Sequence, residues 1–107
     1  MSSTPPHSGR TTVFAFVTTK PGKGDEFQKL LSVARQSAES DREPYTLTYR
    51  TTRDGDNFAI FEEYDQDKKD SEGRAGIEAH KAQPPFQNLL KSGLAEKLEI
   101  KFYQEFK

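Results

Sequence analysis

The fold of this chain is decided by two strand-like segments around one turn signal, YTLTYRTTRDGDNFAIFEEY, residues 45 to 64. Both segments are rich in β-branched and aromatic residues, which favour strands. Between them lies Asp54-Gly55, a strong signal for a two-residue hairpin loop. A loop at these two residues sets Arg53 opposite Asp56. The register that follows pairs Tyr49 with Ile60, Leu47 with Glu62 and Tyr45 with Tyr64.

The two faces of this hairpin differ in polarity. The face that carries Glu62 is otherwise aromatic and aliphatic, so we expect it to lie under the helices. The opposite face is more polar but keeps an aliphatic and an aromatic side chain, and such a face can pack against its twin in a second subunit. Its residues are Thr46, Thr48, Arg50, Ala59, Phe61 and Glu63.

The elements around the hairpin predict a ferredoxin-like α+β fold. Residues 11 to 19 read as a strand, and residues 25 to 40 as a helix with an apolar stripe. Beyond the hairpin, residues 65 to 76 are a polar loop, residues 77 to 82 a short helix, and residues 98 to 106 a last strand, with a further helical turn from Pro85. The order β-α-β-β-α-β places helices on one face of a four-stranded antiparallel sheet.

Composition restricts the classes of function. The 107 residues predict one domain over residues 11 to 107, preceded by a disordered tail over residues 1 to 10. There are no cysteines, which excludes disulfides and thiolate metal sites. The net charge is -1 with charges of both signs, which argues against nucleic acid as a partner. We find no signal region and no apolar run that could span a membrane, and we expect a cytoplasmic protein. An apolar content of only 32% favours a homodimer, which would bury more surface.

Glu62 and His80 are the candidate catalytic residues. A carboxylate among aromatic and aliphatic neighbours is poorly solvated, which raises its pKa and suits it to acid or base work. His80 is the one histidine within a predicted element and can exchange a proton near neutral pH. Both residues also suit a structural role, in which Glu62 bonds His80 and holds a helix on the sheet. Two such ligands do not make a metal site, so we expect no metal.

Several short motifs resemble the antibiotic biosynthesis monooxygenase (ABM) domain, a family of dimeric α+β barrels. The matching residues are Lys20-Pro-Gly-Lys, Pro44, Tyr49, Phe58 to Tyr64, and His80 followed by Phe86. The chain departs from the family pattern at Tyr45, where a Gly is frequent, at Tyr64, where a Trp is common, and at Pro85, where a second His is common. The Asn, Trp and His of the haem-degrading branch would fall at Phe14, Tyr64 and Leu90, and none of them matches.

The resemblance implies a cofactor-independent monooxygenase that acts on an aromatic, quinol-like or polyketide-like molecule. Glu62 or His80 would be the base, and Tyr45, Tyr49, Tyr64 and Phe86 would line the substrate pocket. Two alternatives stay open. One is a non-oxidative cyclase or isomerase that uses the same pocket, and the other is a non-catalytic module for small-molecule binding or assembly.

Overall fold

The computed structural model describes residues 5 to 107, which form one four-stranded antiparallel sheet with three helices. The strands lie in the order β2-β3-β1-β4, so the predicted ferredoxin-like α+β fold is confirmed. The one difference in element order is that the second helical region is two short helices. The elements are β1 (Arg10–Thr19), α1 (Gly24–Ala38), β2 (Thr46–Asp54), β3 (Asn57–Asp65), α2 (Gly76–Ala82), α3 (Pro84–Lys91) and β4 (Ala95–Gln104).

Helix α1 covers the centre of the sheet, as its sequence pattern predicts. Asp25 and Glu26 lie in its first turn, where their negative charges stabilise the helix by interacting with the positive end of its dipole. Its buried apolar stripe packs on side chains of the three strands β1, β2 and β3. The stripe comprises Phe27, Leu31, Ala34 and Ala38.

The hairpin loop lies one residue later than the sequence signal placed it, so the predicted register was wrong by two residues. Gly55 and Asp56 form the loop, Gly55 takes a φ of 62°, and Asp54 pairs with Asn57. The reason is a long-range contact. The carboxylate of Asp56 accepts backbone N–H groups from Gly22 and Gly24, each at 3.0 Å, which fixes this residue in the loop beside the start of α1.

Between Thr48 and Asp54, a shift of two residues leaves each side chain on its predicted face, because strand side chains alternate with a period of two. Tyr49, rather than Leu47, therefore lies opposite Glu62. The register of β2 on β3 shifts again between Thr46 and Thr48, and Leu47 is 43% exposed. The prediction that Leu47 lies in the core was therefore wrong.

The helices that follow the sheet are positioned by tight contacts. A Cβ on Gly76 would lie 2.9 Å from the carbonyl oxygen of Tyr45, so only glycine lets α2 begin this close to the sheet. The backbone N–H of Ile77 donates to the buried side chain of Gln66 at 2.9 Å. Two prolines begin α3, which therefore starts at Pro84, one residue before the predicted start at Pro85.

The side of the sheet away from the helices, which we call the open face, carries a row of partly exposed aromatic side chains. Phe14 packs edge-on against both Phe61 and Tyr103, with ring centroids 5.3 and 5.6 Å apart. Phe16 and Tyr103 are 46% and 51% exposed. No helix among residues 5 to 107 is long and apolar enough to cross a membrane.

The N-terminal segment begins to make contacts before the first strand. Gly9 donates its backbone N–H to Asp67, and the carbonyl of Pro6 accepts a hydrogen bond from Gln66. Strand β1 begins at Arg10, one residue earlier than predicted. Residues 1 to 4 of the predicted disordered tail lie outside the described residues.

Candidate functional site

A small cavity of about 180 Å³ lies between the sheet and the helices α1 and α3. Its wall is almost entirely apolar, and among the described residues Glu62 is the one charged side chain that lines it. Tyr49 contributes a second polar group. The cavity extends towards β4, where Leu90, Leu98 and Ile100 line it and are exposed. The other lining residues are Ala15, Val17, Phe27, Leu31, Ile60, Phe86, Leu89, Gly93 and Ala95.

A wider recess of about 600 Å³ lies at the hairpin end of the sheet, but it lacks the chemistry of the smaller cavity. Its charged lining residues, which include Arg53, Lys97 and Glu99, are exposed to solvent. Water can compete for each of these side chains, so the recess lacks a polar group held in an apolar environment. We therefore place the candidate site in the cavity beside Glu62.

The carboxyl group of Glu62 is held by a neighbour on its own strand. The residue is only 8% exposed, and the hydroxyl of Tyr64 donates to its Oε1 at 2.5 Å. Burial raises the pKa of Glu62, since the charged form loses its hydration. The hydrogen bond from Tyr64 and any positive charge on His80 lower that pKa in part, and the charge of Glu43 raises it. The net direction is upward, so this carboxylate takes up a proton more readily than a solvated one does.

Both tyrosines beside Glu62 are kept in their neutral, hydrogen-bond-donating form. Burial, followed by the charge of Glu62, raises the pKa of Tyr49 and of Tyr64 far above the usual range. A phenol that does not ionise remains an O–H donor. The site therefore combines one proton acceptor with two phenolic O–H donors: Tyr64 is bonded to Glu62, and Tyr49 lines the cavity.

His80 lies on α2 within a group of aromatic rings. Its ring centroid is 5.1 Å from those of Tyr49 and Phe86 and 6.0 Å from that of Tyr64. Tyr49 and Phe86 also line the cavity, whereas His80 does not. The imidazole is thus packed directly behind the cavity wall.

The hydrogen-bond partner of His80 is Glu43, which the sequence reasoning did not consider. Nδ1 of His80 lies 2.6 Å from Oε1 of Glu43, and the two side chains are 4% and 0% exposed. Ser37 donates to the other oxygen, Oε2, at 2.5 Å. Glu43 lies in a polar connection after α1, and nothing in its local sequence separates it from the solvated Asp41 and Arg42 beside it.

The structure brings five of the six predicted site residues together and leaves one apart. Glu62, Tyr49 and Phe86 line the cavity, and Tyr64 and His80 pack against them. Tyr45 instead precedes β2 and lines a different recess at the surface, beside Pro44 and Asp70. Among residues 5 to 107, no group of three or more His, Asp or Glu side chains is arranged to hold a metal ion.

Comparison with solved structures identifies the same fold in a set of proteins of low sequence identity. The protein PA3566 from Pseudomonas aeruginosa is 18% identical, with a TM-score of 0.75, over 95% of this chain and 99% of that one. A structure named as an antibiotic biosynthesis monooxygenase is 19% identical, with a TM-score of 0.70, over 91% of this chain and 99% of the other. A conserved protein from Methanosarcina mazei Go1 is 19% identical, with a TM-score of 0.68, over 94% and 96% of the two chains.

These likenesses establish the fold, and at this level they confirm the resemblance to the antibiotic biosynthesis monooxygenase domain that the sequence motifs indicate. No protein-family model matches the chain, and no curated protein sequence matches it either.

Proposed function

We propose that this protein is a cofactor-independent monooxygenase that acts on a small aromatic molecule of the phenol or quinol type, with Glu62 as the base. One observation carries the proposal: a buried carboxyl group of raised pKa is the single charged group, among the described residues, on the wall of an apolar cavity. One neighbour of the same fold is named as an antibiotic biosynthesis monooxygenase, which supports the same class of reaction.

The reaction needs only a base, hydrogen-bond donors and a dry pocket. Glu62 takes the phenolic proton. The raised pKa of Glu62 reduces the difference between its pKa and that of a phenol, which is ~10. The resulting phenolate is electron-rich and passes one electron to O₂. The phenoxyl radical and superoxide then combine at the carbon para to the oxygen, which forms a carbon–oxygen bond.

The peroxide formed at that carbon breaks down to a quinone and water. Protonated Glu62 first gives its proton to the peroxide, and its carboxylate then takes the para C–H proton. The electron pair of that C–H bond forms the second carbonyl, and the O–O bond breaks with loss of hydroxide. Protonated Glu62 returns a proton to that hydroxide. One phenol and one O₂ therefore give one quinone and one water, and the aromatic molecule supplies all the electrons.

The size and polarity of the cavity favour a substrate with one neutral ring. A cavity of about 150 Å³ lined by apolar residues holds benzene in another protein, and the cavity here is about 180 Å³. Anionic substituents would meet the charge of Glu62 in an apolar environment without a compensating cation. A larger, polyketide-like molecule would have to extend out past Leu90, Leu98 and Ile100, which are exposed at the β4 end.

We further propose that the working form is a cytoplasmic homodimer joined through the open face. The aromatic side chains of that face, Phe14, Phe16, Phe61 and Tyr103, are partly or largely exposed in the single chain. An apolar sheet face of this kind is stabilised when a second copy covers it.

An oxygen-labelling experiment tests the proposed reaction. The metal-free protein, prepared with a chelator, is incubated with guaiacol, a one-ring phenol with a free para carbon, under O₂ of the heavy isotope. We expect a quinone that carries one labelled oxygen, formed one for one with the O₂ consumed. Rearranged product without O₂ uptake would instead indicate the isomerase or cyclase. Binding without turnover, over a panel of one-ring phenols, would indicate the binding module.

A further inference from the structure

The Glu43–His80 pair is buried, and the reaction described above does not use it. Glu43 comes from the segment between α1 and β2, and His80 from α2, so the contact joins two distant parts of the chain. Their side chains are 0% and 4% exposed, and Nδ1 lies 2.6 Å from Oε1. A buried charged group is costly unless it is paired and hydrogen-bonded, and this pair meets both conditions.

The carboxylate of Glu43 is fixed from its far side. The hydroxyl of Ser37 donates to Oε2 at 2.5 Å. The other oxygen, Oε1, faces the imidazole and also accepts a long hydrogen bond of 3.5 Å from the hydroxyl of Thr46. A carboxylate is an acceptor, so it requires a donor at the imidazole nitrogen that it touches. The geometry therefore assigns the imidazole proton to Nδ1.

The other ring nitrogen of His80 is unused. Nε2 is buried, and it has no hydrogen-bond partner in the part of the chain that the structure describes. With the proton on Nδ1, Nε2 of a neutral imidazole is a proton acceptor, and a buried acceptor without a partner is available for a proton. The opposite tautomer would bury an N–H donor without a partner and set a bare nitrogen against a carboxylate.

The groups that face the imidazole come from every element packed around it. Tyr49 lies on β2, Glu62 and Tyr64 lie on β3, and Phe86 lies on α3, in addition to Glu43 itself. The hydroxyl of Tyr64 is already committed to Glu62. A positive charge on His80 lowers the pKa of Glu62, and the charge of Glu43 raises it. The protonation state of the pair therefore affects the proton affinity of the proposed base.

We propose that Glu43 is a positioning residue that acts through His80: it holds the imidazole with its proton on Nδ1 and so keeps Nε2 as a proton acceptor behind the Glu62 cavity. The role of this pair in turnover rests on the proposed function, but the orientation and tautomer of His80 do not. A carboxylate that fixes a histidine tautomer in this way is a recurrent device in proton-transfer sites.

The first test uses nitrogen NMR of the intact, labelled protein at about pH 8, above the ordinary imidazole pKa of ~6.5. We expect the His80 Nδ1 signal in the range of a protonated ring nitrogen and the Nε2 signal in the range of a bare one. Protonated Nε2 with bare Nδ1, or two protonated nitrogens at that pH, would overturn the proposal. This readout needs no turnover, so it stands even if no phenol is oxidised and the proposed function fails.

The second test compares Glu43→Gln with Glu39→Gln, an exposed carboxylate at the end of α1 whose loss should change nothing. Glu43→Gln should mix the two His80 tautomers and lower kcat by at least about 10-fold, with a much smaller change in KM. If Glu43 only stabilises the fold, Tm will fall while the His80 signals and kcat of the folded variant stay unchanged. That result would overturn the positioning role.

Discussion

The hydroxyl of Tyr64 donates a 2.5 Å hydrogen bond to Oε1 of Glu62, two positions earlier on the same strand. Residues separated by two positions in a strand point to the same side of the sheet, so this pairing follows directly from the strand geometry. The bond holds the carboxyl group in one orientation at the cavity wall. It also opposes, in part, the upward shift that burial gives the pKa of Glu62.

Replacing Tyr64 by phenylalanine removes this hydroxyl and keeps the ring. Because the hydrogen bond from Tyr64 lowers the pKa of Glu62, its loss should raise that pKa further. Carbon NMR of the Glu62 carboxyl group during a pH titration measures the shift. Unfolding in urea should show a loss of about 1–3 kcal/mol, since a buried charged group loses a donor. Tyr103→Phe, on the open face, is the control and should change neither quantity; an unaltered Glu62 titration in Tyr64→Phe would contradict the account.

The raised pKa of Glu62 also predicts how stability depends on pH. Between the ordinary value of 4.5 and the raised value, the folded protein binds more protons at this site than the unfolded chain does. The free energy of unfolding contributed by this group therefore falls as the pH rises through that window. The variant Glu62→Gln cannot ionise, so its stability relative to the wild type should increase as the pH rises above 4.5.

Urea unfolding of both proteins at a series of pH values checks this sign. Asp56 and Asp70 have lowered pKa values, so their effect on stability falls at a pH below this window. Both residues are present in the wild type and in Glu62→Gln, so their contributions cancel when the two proteins are compared. A stability difference that is constant above pH 4.5, or that decreases, would contradict the raised pKa of Glu62.

Gly76 should not tolerate alanine. A Cβ there would lie 2.9 Å from the carbonyl oxygen of Tyr45 and 3.1 Å from that of Asp65, and backbone atoms cannot rotate away. We expect a loss of about 1–3 kcal/mol from overpacking, which exceeds the gain of about 1 kcal/mol in helix propensity. Glu78→Ala, at an exposed position of the same helix, should stay within about 0.5 kcal/mol. Equal stability of Gly76→Ala and Glu78→Ala in urea would show that α2 is not held this closely.

The proposed homodimer predicts a mass of twice the 12.2 kDa of the chain in sedimentation experiments. Phe61→Asp should shift the protein towards the monomer, because it would bury an unpaired charge in the open face. Val33→Asp is the matched control, since Val33 is 48% exposed on α1, away from that face. A wild-type protein that stays monomeric at tens of micromolar, a range typical of such measurements, would rule the dimer out.

The fold could be predicted from local patterns because its strands, turns and first helix each carry a signal of their own. The hairpin register could not be predicted, since the position of the loop depends on hydrogen bonds from Gly22 and Gly24 to Asp56. These residues are more than thirty positions apart in the chain. Most of the buried face was still predicted, because an error of two residues keeps a strand side chain on its side of the sheet; Leu47 is an exception, because the register shifts again between Thr46 and Thr48.

The candidate site was predictable to the extent that its residues lie in periodic elements. Glu62 is detectable as an acidic residue in an apolar strand, and His80 as a histidine on a short helix. Glu43 has no such signal, because only the folded chain brings its polar connection against α2. Tyr45 was predicted to pair with Tyr64 and to line the pocket, but β2 begins at the next residue and the side chain lies elsewhere.

The central claim is that Glu62 is the base of an oxygen-dependent reaction, and the turnover of Glu62→Gln tests it most directly. The variant keeps the shape of the side chain and can still accept the hydrogen bond from Tyr64, but it cannot take a proton. We predict that oxygen consumption with guaiacol falls by roughly 10²–10⁴-fold, as is typical for the loss of a general base. The control Glu63→Gln, on the opposite side of the same strand, should consume oxygen at the wild-type rate. Wild-type turnover by a correctly folded Glu62→Gln protein would contradict the account.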